Sequence, residues 1–200
     1  MQKHERQFLY VNPEKCVGCS LCEYACSLKK VNELNPQKSR IRVSRAHPFI
    51  HVASTCILCD DPPCITSCPR KCLSQSSATG VIIVDKEKCN GCGWCIEACP
   101  YGAVQYDEGI GAVAICDLCD GKPECIDFCP TEAIEFLKSD EDIKGKWTLA
   151  RKSWVEESKK LLQMESGEKT DIFANYSENA QKIEEKLQLL YEKKHKLTKR

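Results

Sequence analysis

The sequence predicts an α+β chain in which short strands and helices surround groups of cysteines over residues 1–139, followed by a helical extension over 140–200. Three observations predict it. Seventeen cysteines stand before residue 130, and all but one fall into four groups of four. The groups recur in an A-B-A-B order and are flanked by short β-rich runs. Past Leu137 cysteine disappears, and apolar residues recur at helical intervals.

Composition narrows the function classes. The 200 residues include 29 basic and 29 acidic side chains, a formal charge of zero, which removes the electrostatic case for nucleic-acid binding. No stretch reaches the roughly twenty apolar residues of a membrane span. Met1 to Gln7 are polar, and no apolar signal-peptide core follows them. The expectation is a cytoplasmic protein whose cysteines stay reduced and hold metal.

Group one is Cys16-x2-Cys19-x2-Cys22-x3-Cys26. Group two is Cys56-x2-Cys59-x4-Cys64-x3-Cys68, followed by Pro69. Group three is Cys89-x2-Cys92-x2-Cys95-x3-Cys99, followed by Pro100. Group four is Cys116-x2-Cys119-x5-Cys125-x3-Cys129, followed by Pro130. The run C-x2-C-x2-C-x3-C-P is the bacterial ferredoxin signature: one tight loop offers three thiolates to three irons of a cubane, and the fourth cysteine reaches the cluster of a partner motif. Gly18 and Gly91, each before a second cysteine, let the loop wrap closely and turn its amides toward the sulfurs. Structural zinc wants facing C-x2-C knuckles, and these groups present more than a knuckle. Four copies point to four [4Fe–4S] clusters.

Each remaining element has its own reason. Strands are expected over Phe8 to Val11, Ile41 to Val43, Val81 to Val84, Ala103 to Tyr106 and Ala133 to Leu137, giving each unit a small hairpin and two short helices. Apolar residues are too few for a large core, so the clusters are the main folding staple. Cys72 occupies the slot that Ala103 and Ala133 hold after groups three and four; packing, ligation and redox signalling are its open readings. The basic run Lys38 to Arg45 is either a charge-guarded edge strand or a docking strip for an acidic partner. His4, His47, His51 and His195 sit in no motif, and none is assigned as a ligand.

In the tail, Trp147, Ala150, Trp154, Leu161 and Leu162 mark an amphipathic helix from about 146 to 164, and Gly167 to Asp171 read as a linker. A second helix, about 174–197, places Tyr176, Ala180, Ile183, Leu187, Leu190 and Leu197 on one stripe. That stripe either packs on the chain's own cluster domain or grips a partner subunit or a second copy.

The fragments Cys59-Asp60-Asp61-Pro62-Pro63-Cys64, Cys92-Gly93-Trp94-Cys95 through Cys99-Pro100-Tyr101-Gly102-Ala103, and Cys129-Pro130-Thr131-Glu132-Ala133 resemble the four-cluster iron–sulfur subunits of the dimethyl sulfoxide reductase type. The resemblance covers roughly 9 to 138 and implies two ferredoxin-like folds, one nested in the other. Carried over, one cluster takes Cys16, Cys19, Cys22 and Cys129, and its neighbour Cys116, Cys119, Cys125 and Cys26. The second pair takes Cys56, Cys59, Cys64 and Cys99, and Cys89, Cys92, Cys95 and Cys68. The repeat permits this pairing; the spacings alone do not single it out. Cys26 departs from the pattern, being followed by Ser27 instead of proline. The compact group four, with Asn35-Pro36 and Lys38 to Val43 upstream, is similar to the small ferredoxin-like proteins that accompany tungsten aldehyde oxidoreductases and tungsten benzoyl-coenzyme A reductases. The implied function is a non-catalytic electron-transfer subunit between a tungsten- or molybdenum-containing catalytic subunit and another carrier. The alternatives are a free-standing or polymerising polyferredoxin and a relay of a hydrogenase or carbon monoxide dehydrogenase. No paired-carboxylate, serine-histidine or nucleotide-loop constellation suggests a catalytic residue.

Overall fold

The computed structural model describes residues 7–47, 50–137 and 172–198. The helix expected near 146–164 and the linker before 172 lie outside these residues. A single plan is repeated four times: a strand, a cysteine group, a helix, and a strand that turns back. It runs β1 (Phe8–Val11), α1 (Leu21–Val31), β2 (Arg42–His47); β3 (Ile50–Ser54), α2 (Pro63–Thr66), β4 (Leu73–Gln75); β5 (Ile82–Val84), α3 (Trp94–Ala98), β6 (Val104–Asp107); β7 (Ala112–Ile115), α4 (Glu124–Asp127), β8 (Ile134–Leu137). Helix α5 (Ile172–Thr198) follows.

The strand leaving each group pairs antiparallel with the strand entering the next, as β2·β3, β4·β5 and β6·β7. The fourth pair joins the two ends, with Phe8 opposite Leu137 and Val11 opposite Ile134. The plan therefore closes on itself, and groups one and four become neighbours across most of the chain. The helices pair to match, α1 against α4 and α2 against α3.

Three strands are absent from the sequence expectation, each for a physical reason. β7 (Ala112–Ile115) is buried along its whole length and so shows no two-residue alternation. β4 (Leu73–Gln75) has three residues, two of them polar. β3 (Ile50–Ser54) follows β2 directly, and the expected strand Ile41 to Val43 is the beginning of a longer one that reaches His47.

α1 runs past Cys26 because Ser27, unlike the prolines after the other groups, keeps its amide. It ends where Asn32 turns left-handed and donates its N–H to the Leu28 carbonyl. Its outer face, Leu21, Ala25 and Leu28 at helical spacing, is buried under Ile183, Leu187 and Leu190 of α5. Three members of the tail stripe thus rest on the chain's own cluster domain. The rest of the core mixes cysteines with small aliphatics such as Leu9, Ile41, Val104 and Val113.

Candidate metal centres

All four loops take the same turn. The residue before the second cysteine is left-handed in each: Gly18 (φ 66), Leu58 (φ 52), Gly91 (φ 70) and Leu118 (φ 56). Glycine accepts this freely, whereas a leucine loses about 1–2 kcal/mol. Leu58 and Leu118 are 3% and 1% exposed, and burying a leucine gains about 1.5–3 kcal/mol, which offsets the strain. At Gly91 a side chain would also collide, since a Cβ would stand 2.6 Å from the Tyr106 ring. Sequence reasoning found the two glycines and missed the two leucines, because leucine carries no turn signal.

The fourth cysteine of each group receives a backbone amide. In groups two to four the donor is the residue four positions on: Cys72 to Cys68 Sγ (3.4 Å), Ala103 to Cys99 Sγ (3.4 Å) and Ala133 to Cys129 Sγ (3.1 Å). The residue before each donor is left-handed, Lys71, Gly102 and Glu132, which turns the amide back onto the sulfur. In group one the helix continues through that position, and the Arg40 amide serves Cys26 Sγ instead, at 3.3 Å. Such N–H···S bonds stabilise negative charge on ligand sulfurs.

Distant groups meet around common spaces. Cys16, Cys19, Cys22 and Cys129 line a small apolar cavity walled by Val11, Val43, Ala53 and Ile134. Cys26, Cys116, Cys119 and Cys125 line another with Leu9, Ile41 and Leu118. Elsewhere Cys64 stands close enough to Cys99, Cys59 and Cys95 to interact electrostatically, and Cys95 likewise to Cys68, Cys89 and Cys92. Among the described residues no three His, Cys, Asp or Glu side chains converge on a point as a single ion requires. Four sulfurs around an apolar space, with amides aimed at them, fit a thiolate-bound iron–sulfur cluster.

Without metal, burial first and neighbouring cysteines second push the Cys19, Cys64 and Cys116 thiols up to about 11. Metal binding must therefore release protons while it binds.

The basic strip is engaged within the chain. Arg45 donates to the Gly18 carbonyl at 2.8 Å and to Ser20 Oγ, bracing the first cysteine loop. Arg42 donates to the carbonyls of Pro36 and Gln37, Lys38 pairs with Glu33 at 2.9 Å, and Arg40 pairs with Asp117 at 2.5 Å. The strip works as internal bracing beside the sulfurs, a role its alternating pattern did not show.

The geometry defines a class, a protein that holds iron–sulfur clusters and moves electrons through them. Family models match accordingly, a 4Fe-4S dicluster domain over residues 48–139 and a 4Fe-4S binding domain over 9–27. The polyferredoxin-like subunit of an aliphatic sulfonate oxidoreductase from Pyrococcus furiosus is 43% identical over 134 residues, 67% of this chain and 78% of that one. The B subunit of the anaerobic dimethyl sulfoxide reductase of Escherichia coli is 33% identical over 153 residues, 66% of this chain and 73% of that subunit. One polypeptide of the active site complex BamBC of benzoyl coenzyme A reductase aligns at a TM-score of 0.39 and 24% identity, over 67% of this chain and 80% of that polypeptide. This chain belongs to the [4Fe–4S] ferredoxin-like iron–sulfur subunits of oxidoreductases, the family that includes the dimethyl sulfoxide reductase B subunit. No helix among the described residues is long and apolar enough to cross a membrane.

Proposed function

We propose that the chain holds four [4Fe–4S] clusters in two nested ferredoxin-like units and relays single electrons, in the cytoplasm, between a tungsten- or molybdenum-containing catalytic subunit and a second redox carrier. The observation that carries this is the meeting of thiols from groups one and four around common cavities. Cys16, Cys19, Cys22 and Cys129 would hold the first cluster, and Cys116, Cys119, Cys125 and Cys26 the second. Cys56, Cys59, Cys64 and Cys99 would hold the third, and Cys89, Cys92, Cys95 and Cys68 the fourth.

Neighbouring sets lie within electrostatic reach of one another in a line, Cys22 of Cys125, Cys56 of Cys116, and Cys64 of Cys95. That order supports a path from the first set to the fourth. At its far end Cys92 is the exposed thiol among the candidate ligands, next to Trp94, which is 63% exposed. The clusters, when bound, supply the one-electron chemistry. The chain's own part is to fix their order, donate amides to the sulfurs, and place Lys30, Arg40 and Arg45 near the added negative charge.

A catalytic partner is supported by the relatives, which are named as subunits of an aliphatic sulfonate oxidoreductase and a dimethyl sulfoxide reductase. Polymerisation through the tail stripe has less support, because Ile183, Leu187 and Leu190 lie on α1. The test is anaerobic purification with iron and acid-labile sulfide analysis, where about sixteen of each per chain is required. About eight would reject the four-cluster assignment. Purification from the native source without a tungsten or molybdenum subunit would reject the partner.

A further inference from the structure

Cys72 is the one cysteine that the four sets leave unused, yet it is not isolated. It is 5% exposed, and its sulfur lies 3.3 Å from Cys68 Sγ, while its amide reaches the same sulfur at 3.4 Å. Its side chain is also within electrostatic reach of Cys89. Both neighbours belong to one set, the fourth. The left-handed turn at Lys71 delivers amide and side chain together to the Cys68 sulfur. At the matching places Ala103 and Ala133 deliver the amide alone.

Chemistry sets the direction of the bond. A cysteine that ligates iron has lost its proton and can only accept, so in the loaded protein the proton between Cys68 and Cys72 is carried by Cys72. A donor aimed at a ligand sulfur stabilises the reduced cluster, which holds one more negative charge, more than the oxidised one.

We propose that Cys72 is a tuning residue: its S–H donates to Cys68 and raises the reduction potential of the cluster held by Cys68, Cys89, Cys92 and Cys95. It is a positioning residue for electrons, acting through the Cys68 sulfur. The consequence is a higher electron occupancy at the end of the line where Cys92 is exposed. This rests on the cluster sets proposed above.

The experiment is a redox titration of anaerobic, fully loaded protein, read by electron paramagnetic resonance with iron counted on the same samples. In Cys72→Ala the equilibrium constant for one-electron reduction of a single cluster falls about tenfold, about 59 mV, while the other clusters keep theirs. Cys72→Ser, which retains a donor, stays nearer the parent than Cys72→Ala. The reverse change, Ala103→Cys, places a thiol donor against Cys99 and raises the potential of the cluster held there, so the idea stays testable if Cys72→Ala loads poorly. Unchanged potentials in loaded Cys72→Ala and Ala103→Cys would overturn it and leave Cys72 a packing residue. Loss of about four irons on Cys72→Ala, with Cys72→Ser also depleted, would make Cys72 a ligand and overturn it differently. A parent protein with fewer than about sixteen irons would instead fault the cluster sets, so the two failures are distinguishable.

Discussion

Asp117, the residue after Cys116, closes its carboxylate on Arg40 at 2.5 Å, and on its other oxygen holds Lys30 at 2.7 Å. Arg40 is also the residue whose amide serves Cys26. One carboxylate therefore clamps the group-one helix and the turn before β2 to the group-four loop. Burial raises the Asp117 carboxyl, but the Lys30 hydrogen bond and the Arg40 charge outweigh it and hold the group below its ordinary 3.8. A lowered acid contributes stability that is complete above the ordinary pKa and lost as pH falls through the lowered one, so at neutral pH the clamp is fully formed.

Asp117→Asn is expected to cost about 1–2 kcal/mol. The pair lies between an exposed bridge and a buried one, since Lys30 and Arg40 are 13% and 19% exposed. Anaerobic denaturant titration, followed by loss of the visible iron–sulfur absorbance, checks it. A change under about 0.3 kcal/mol would show the clamp to be dispensable.

Helix α5 is held by Leu190, 1% exposed against α1, by Lys193 on Glu124, and by Lys186 on the Asp127 carbonyl at 2.5 Å. Leu190→Ala is expected to weaken this docking by about 2–4 kcal/mol and to open residues 172–198 to protease, with iron content unchanged. Deleting 172–200 is expected to leave the oligomer size as it is, because Ile183, Leu187 and Leu190 of the stripe are already covered within the chain. Sedimentation of both proteins decides the second point.

Two glycines separate backbone strain from collision. Gly102 is left-handed at φ 59 with nothing within 4 Å of a Cβ, so Gly102→Ala should cost about 1 kcal/mol. Gly91 is left-handed and also faces the Tyr106 ring, so Gly91→Ala should cost clearly more. In the double mutant with Tyr106→Ala the excess should vanish, leaving the backbone part alone. An excess that persists would place the collision elsewhere.

Removing iron and sulfide with a chelator under reducing conditions is expected to abolish the cooperative unfolding transition in circular dichroism, since cysteines make up so much of the core. Alkali offers no rescue. The thiols of Cys19, Cys64 and Cys116 are pushed up to about 11 from an ordinary 9.0, so any residual compact apo-state keeps their contribution below 9.0 and loses it as pH rises toward 11. A folded apo-protein would contradict the first statement, and an apo-state stabilised by alkali the second.

Cluster chemistry was legible in the sequence because it is written in short spacings: three thiols within seven to ten residues, then one more four positions on. The strand at Phe8–Val11 was legible for a similar reason, an apolar run just before its loop. β7 was not, since burial on both faces erases alternation. The left-handed leucines Leu58 and Leu118 were not, since their strain is relieved by core packing that no local pattern records.

By itself the sequence determined the ligand type, the four-fold repeat and the break in composition after Leu137, all properties of residues near one another in the chain. Only the tertiary structure decided which distant thiols stand together, that Arg40 and Arg45 brace the loops, that α5 lies on α1, and that Cys72 touches Cys68. The physical reason is range. A loop's turn follows from a few neighbouring residues, whereas bringing Cys129 to Cys16 depends on the end strands β1 and β8 pairing across the whole cysteine-rich chain. That pairing is settled by packing, and packing belongs to the folded whole.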